Sequence, residues 1–176
     1  MQDSAFELAE NIDKKRVLYK LHQPMWSMYD LSAIDLNLKN WTTIKYMNDS
    51  GDDFHEDIDQ VPNNSGGIYL FSIKCPLIPG MTDFPAYIGR AKLTEGQNIR
   101  KRCREYFTKW FRSDERPKIT RLINYWGKDL YLSFIEIEEN DDIVHFEKYL
   151  INSLLLPFND KIPDKEIQDA IKAFQQ

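Results

Sequence analysis

Apolar positions change period several times along the chain, and each change marks an element. From Met1 to about Lys20, Phe6, Leu8, Ala9, Ile12 and Tyr19 recur at roughly helical spacing. Acidic residues come early there and Lys14-Lys15-Arg16 come late, as the helix dipole favours. Pro24 ends whatever precedes it. Trp26, Met28, Tyr29 and Leu31, and then Leu36, Leu38, Trp41, Ile44 and Tyr46, form an apolar arm. It is expected to pack on the main domain or on a second subunit. Residues 48–65 hold Asp49, Asp52, Asp53, Glu56, Asp57 and Asp59 but no Lys or Arg. They lack the spacing and closing glutamate of an EF-hand loop, and read as an acidic linker. The expected division is a mainly helical arm with its linker over 1–63 and a main domain over 64–176.

From Gly66 the period shortens to two. Tyr69, Phe71 and Ile73 fall on one face of a strand, Ile68 and Leu70 on the other. A proline-bearing loop, 76–83, leads to an antiparallel return strand from Phe84 to Gly89. Asn98 suits the N-cap of a helix whose stripe is Ile99, Cys103 and Phe107, with Arg102 and Tyr106 beside it. Pro117 opens another helix, with Ile119, Leu122, Ile123 and Trp126 inward, and Gly127 closes it. Residues 130–138 alternate as a third strand. A helix to about Leu155 follows, with Ile143, Phe146, Leu150, Ile151 and Leu154 on its apolar face, and a last helix spans about 164–174. Glu147 falls inside that apolar face, where a carboxylate is costly unless it meets a cation or donors. The pattern predicts an α+β domain, a three-stranded antiparallel sheet flanked by helices.

Composition narrows the class. No apolar run approaches the length that spans a bilayer, and the first residues lack a signal-peptide pattern; a cytoplasmic protein is the expectation. Cys75 and Cys103 are too few and too poorly spaced for a zinc site, and free thiols are expected. The total charge of −5 speaks against a nucleic-acid partner, but its distribution does not. Residues 90–121 hold eleven Lys/Arg against four Asp/Glu, a local +7. A basic stripe on an acidic chain can bind phosphate or simply be a solvated helix face.

The tripeptides Gly67-Ile68-Tyr69 and Tyr87-Ile88-Gly89, the segment from Arg90 through Arg102 to Tyr106, Glu147 on a later helix and Asn159 after Pro157 occur in one order. This set resembles the GIY-YIG nuclease family, in particular the N-terminal nuclease domain of the bacterial repair protein UvrC. The resemblance covers about Asn64 to Asp160. The loop from Lys74 to Asp83 is longer than in compact members, Leu93 to Gln97 looks like a short insertion, and the arm has no counterpart.

The resemblance implies the GIY-YIG fold and a metal-dependent DNA endonuclease of a defence, mobile-element or repair type. Glu147 would hold one Mg²⁺ or Mn²⁺, since Mg²⁺ takes only one or two protein carboxylates. Tyr69 would be the general base, with Tyr87 assisting or positioning water. Arg102 would contact the scissile phosphate, and Tyr106 would orient water or phosphate. Arg90, Lys92, Arg100 and Arg104 would bind the DNA backbone. Asn159 would orient the metal shell or the backbone near Glu147, or serve only as a helix-end cap. The competing reading is a DNA-binding module that does not cut, or a nuclease held inactive by its acidic arm. A homodimer through the arm is a further expectation.

Overall fold

A computed structural model describes residues 4–173. Helix α1 (Ala5–Lys14) is followed by irregular chain with short 3-10 turns and by strand β1 (Thr42–Lys45). Then come β2 (Gly66–Lys74), β3 (Asp83–Ala91), α2 (Ile99–Phe111), α3 (Pro117–Trp126), β4 (Leu130–Ile137), α4 (Asn140–Leu154) and α5 (Lys165–Ala173). The class is α+β. The sheet has four strands, not the expected three, all antiparallel in the order β1-β4-β2-β3.

The extra strand comes from the stretch read as arm. Thr42–Lys45 pairs with Tyr131–Phe134 of β4, and its alternation is too short to stand out from the apolar residues around it. The acidic segment also differs from a linker. Met47 bridges to Phe54, a 3-10 turn covers Glu56–Gln60, and Ile58 and Val61 are buried in the main core. Acidic side chains at its surface conceal a buried register of Ile58 and Val61.

Tyr46 shows how firmly this region is joined. Its hydroxyl donates to the Cys103 carbonyl (2.7 Å) and accepts from the Phe107 amide (3.2 Å), the two partners of one i, i+4 step of α2. The ring meets Phe71 edge-on at 4.8 Å.

The remaining arm is only partly helical. Ser4 caps α1 in a reciprocal capping box with Glu7, but no residue of α1 is buried. The helix stops at Lys14, short of the expected Lys20. The Met1 to Asp3 part of that expectation lies outside the described residues. Arg121 of α3 donates to the carbonyls of Lys14 and Arg16 (2.9 and 2.8 Å), placing a cation at the C-terminal end of α1. Farther on, Leu31, Ile34, Leu36 and Trp41 pack against the core beside α4. Tyr29 stacks on Tyr149 at 4.5 Å and accepts from Asn152. These residues cover their own chain, whereas Trp26 and Met28 stay exposed.

Each sheet face has its own core. Tyr69, Phe71, Ile73 and Tyr87 meet Cys103, Tyr106 and Phe107 of α2 and Ile119, Leu122 and Ile123 of α3. Ile68, Ile88 and Ile135 meet Phe146, Leu150 and Ile151 of α4. The period-two pattern therefore sorts β2 between α2/α3 and α4. Among the described residues no helix is long and apolar enough to cross a membrane.

Removing the Tyr46 hydroxyl would leave buried backbone partners unmatched. Tyr46→Phe is expected to lower stability by roughly 1–3 kcal/mol. The measurement is a lower midpoint in urea unfolding at unchanged slope.

Candidate active site

Strand β3 is one of the two outer strands of the sheet, and an outer strand exposes unpaired backbone groups. Here the turn after α4 covers them. Phe158 N–H donates to the Ala86 carbonyl at 3.1 Å. The Asn159 side chain accepts from Ile88 N–H at 3.0 Å and donates to the Ile88 carbonyl at 2.8 Å. Asn159 thus substitutes for a neighbouring strand, and both ends of its amide are committed to β3. Asn140, at the start of α4, makes the same pair of bonds to Leu93, both at 2.9 Å. That clamp has no signal in sequence spacing, because it joins residues 47 apart.

Between these clamps the register brings two tyrosines together. Tyr69 stands opposite Gly89, and Phe71 opposite Tyr87. A side chain at 89 would put its Cβ 2.6 Å from the Tyr69 hydroxyl oxygen. The missing side chain lets the Tyr69 ring cross β3. Its hydroxyl lies 2.8 Å from that of Tyr106 on α2, and the Tyr106 hydroxyl lies 3.0 Å from that of Tyr87. Three phenols from three elements form one hydrogen-bonded chain. Burial pushes the Tyr69 and Tyr106 hydroxyls well above the usual value of about 10. They are therefore protonated at neutral pH in this state, which does not make Tyr69 a ready base.

Arg102 flanks the chain. Its guanidinium lies 5.1 Å from the centre of the Tyr106 ring and donates to the Glu105 carboxylate at 2.5 Å. Burial disfavours its charge, and the Glu105 carboxylate beside it favours that charge.

Arg90 and Glu147 come from the other sheet face. Arg90 stands opposite Ile68, whose side chain belongs to the α4 core. Its guanidinium donates to the Glu147 carboxylate. Burial raises the Glu147 carboxyl, and the charges of Arg90 and Arg102 pull against that rise. Arg102 thus acts electrostatically on both the tyrosine chain and the carboxylate.

The remaining predicted site residues are more dispersed. Arg100 donates to the carbonyls of Val61 and Asp59 and pairs with the Asp59 carboxylate at 3.7 Å. Arg104 pairs with Asp59 at 3.6 Å and covers the Phe54 ring at 4.7 Å. Both help line a shallow groove of about 590 Å³ along the outer side of α2, with Lys101, Lys109 and Arg112. Lys92 is half-buried just beyond β3. Sequence reading missed Arg116. It precedes α3, donates to the Tyr87 hydroxyl at 3.5 Å and lies 5.5 Å from the centre of the Tyr87 ring. Its only signal was membership of the basic stretch.

Among the described residues no group of three or more His, Cys, Asp or Glu side chains gathers in a form that could hold a metal. Glu105 is held by Arg102, and Glu147 is the other carboxylate at this site. A partly desolvated carboxylate that now answers to Arg90 fits a cation taking one protein oxygen and filling its other positions with water and substrate. Comparison of the chain with protein-family models, with curated proteins and with solved structures finds no match.

Gly89→Ala should displace the Tyr69 ring, separating its hydroxyl from Tyr106, as read by the Tyr69 ring shifts in NMR. For Glu147 the folded pKa is raised, so its contribution to stability is full below the unfolded value and is lost as pH rises through the folded one. Without added metal, Glu147→Gln should therefore melt a few degrees above wild type at pH 7–8, with the gap closing toward pH 4. The half-exposed Arg90 can turn to water in that variant. Calorimetry across this range checks the sign.

Proposed function

We propose that the protein is a metal-dependent DNA endonuclease of the GIY-YIG type. The observation that carries this reading is the joining of Tyr69, Tyr87 and Tyr106 in one hydrogen-bonded chain beside Arg102, with the Arg90–Glu147 pair on the adjacent part of β3 and α4. Phosphodiester hydrolysis needs a positioned water, a route for its proton and positive charge for the developing phosphorane. The phenols supply the proton route. Arg102 supplies a permanent charge and paired donors for a phosphate oxygen. Glu147 is the residue that would hold Mg²⁺ or Mn²⁺. When bound, such an ion polarises a phosphoryl oxygen and neutralises charge.

Arg90 would pass from Glu147 to a phosphate once the carboxylate has another cation. Lys92, Arg100 and Arg104 would contact neighbouring phosphates, using the groove along α2. Asn159 would act indirectly, by keeping β3 and therefore Tyr87 in place. The exposed apolar residues of the arm, Trp26 and Met28 among them, would form the contact of a homodimer; the mass in solution and on DNA tests that part.

One observation favours a second reading, a DNA-binding module that is non-catalytic or self-masked. Asp59 occupies Arg100 and Arg104, and Arg90 occupies Glu147. If masking operates, Asp59→Asn tightens binding to duplex DNA and speeds any cleavage. A protein that binds but never cuts with any divalent ion supports the non-catalytic form.

The direct experiment incubates the protein with supercoiled plasmid and Mg²⁺ or Mn²⁺. Nicked or linear product is expected, with Arg102→Ala and Glu147→Ala each reducing the rate by about 10²-fold or more. Equal cleavage by Glu147→Ala and wild type would remove its assigned role. Affinity for DNA should fall steeply with salt as Lys and Arg release counterions. A panel of duplex, single-stranded, branched and damaged DNA would separate defence, mobile-element and repair roles.

A further inference from the structure

The outer face of α2 carries a pattern that the tyrosine cluster does not use. Arg100, Arg104, Phe107 and Phe111 follow one another at spacings of four, three and four, so they form one row along the helix. Arg112 stands in the adjoining row, one turn beyond Thr108. Arg102 precedes Phe111 by about two and a half turns and therefore points to the opposite side of α2, as Tyr106 does.

Phe111 differs from the other apolar residues of this helix. It is 72% exposed, whereas Ile99, Cys103 and Phe107 are buried. Its ring lies 6.2 Å from that of Phe107 at an interplanar angle of 22°, and Phe107 in turn meets Phe54 at 4.5 Å. Arg104 covers the Phe54 ring. An aromatic ladder thus leaves the core beside the arginines and ends in an exposed ring.

Charge defines what approaches this face. Arg100, Lys101, Arg104, Lys109 and Arg112 line the groove against one carboxylate, Glu105, which Arg102 holds. Asp59 marks an anion position between two of them. Its carboxylate lies 3.7 Å from Arg100 and 3.6 Å from Arg104, and its side chain is 74% exposed. An ion pair so open to water contributes little, so a phosphate can take the carboxylate's place. Phosphate contacts alone suit any nucleic acid. The exposed ring narrows the choice, because base faces inside a duplex are covered by their neighbours, whereas an unpaired base can lay its face on an aromatic side chain.

We propose that the outer face of α2 is a track for single-stranded nucleic acid, with Arg100, Arg104 and Arg112 on its phosphates and the Phe111 ring as the platform for one unpaired base. A strand on this track is separated from the tyrosines by the width of the helix, about 10 Å. It is therefore the unpaired continuation, or the displaced partner, of the strand offered to Arg102. The substrate is then DNA with a single-stranded segment beside the cut. That last step rests on the endonuclease reading; the track itself does not.

The test measures binding of the full chain to a fluorescent oligothymidylate and to a duplex of the same length, by anisotropy without divalent ions. Phe111→Ala should weaken binding to the single strand by about 10-fold, as loss of one stacked base does, and leave the duplex nearly unaffected. Phe111→Trp should retain the wild-type affinity, and Phe111→Leu should lose it as Phe111→Ala does. Arg112→Gln should lower the salt slope of single-strand binding by roughly 0.7, the share of one phosphate contact. An unchanged urea midpoint in each variant shows that the fold is intact. Absence of single-strand binding by wild type would overturn the proposal. So would an equal loss on both ligands in Phe111→Ala, or wild-type affinity in Phe111→Ala or Phe111→Leu. A parallel plasmid assay with Mg²⁺ separates the two readings. A chain that holds oligothymidylate through Phe111 but never cuts keeps the track and removes the endonuclease. One that cuts while Phe111→Ala binds oligothymidylate like wild type keeps the endonuclease and removes the track.

Discussion

The space above Gly89 is the constraint on which the candidate site depends. Tyr69 begins on β2 and faces the α2 core, and its ring and hydroxyl lie over Gly89 of β3 because no Cβ stands in the way. Only then can it meet Tyr106. Gly67 answers a similar demand on the other side of β2, where a Cβ would lie 2.1 Å from the Ile135 carbonyl oxygen. The two glycines therefore act sterically. They bring neighbouring backbone and ring closer than any side chain would allow.

That arrangement places a polar chain inside an aromatic core. Tyr106 lies edge-on to Phe71 at 5.6 Å and near-perpendicular to Tyr69 and Tyr87, so the rings fix the hydroxyls while packing as core residues. A buried hydroxyl without a partner is costly. Three that satisfy one another, with Arg116 donating to Tyr87 and Arg102 over the Tyr106 ring, carry a much smaller penalty. The same low-polarity setting strengthens each charge that reaches it. Arg102 consequently influences both the phenols and Glu147.

The basic stretch has several duties. Arg121 holds the end of α1, Arg100 and Arg104 fasten the segment around Asp59, and Arg116 addresses Tyr87. A local charge excess therefore does not measure the number of side chains available to DNA. The groove along α2 still carries Lys101, Lys109 and Arg112 at its surface. Acidic residues of the arm serve in part as structural counterions, a role invisible in a charge sum.

Local periodicity and caps were sufficient for β2, β3, β4 and for α2, α3 and α4, because each presents a clear apolar face. Glu147 within such a face, and the tyrosines flanking two glycines, were equally legible as positions of interest. The sequence could not show that Thr42–Lys45 joins β4, since a four-residue strand is defined by a partner some ninety residues away. Nor could it show that Asn159 binds both backbone groups of Ile88, or that Arg116 arrives at Tyr87. Residue order determined which groups could take part in phosphate chemistry. The tertiary structure decided which hydroxyls are joined and which cations are already paired, because burial and hydrogen-bond partners depend on distances between segments remote in the chain.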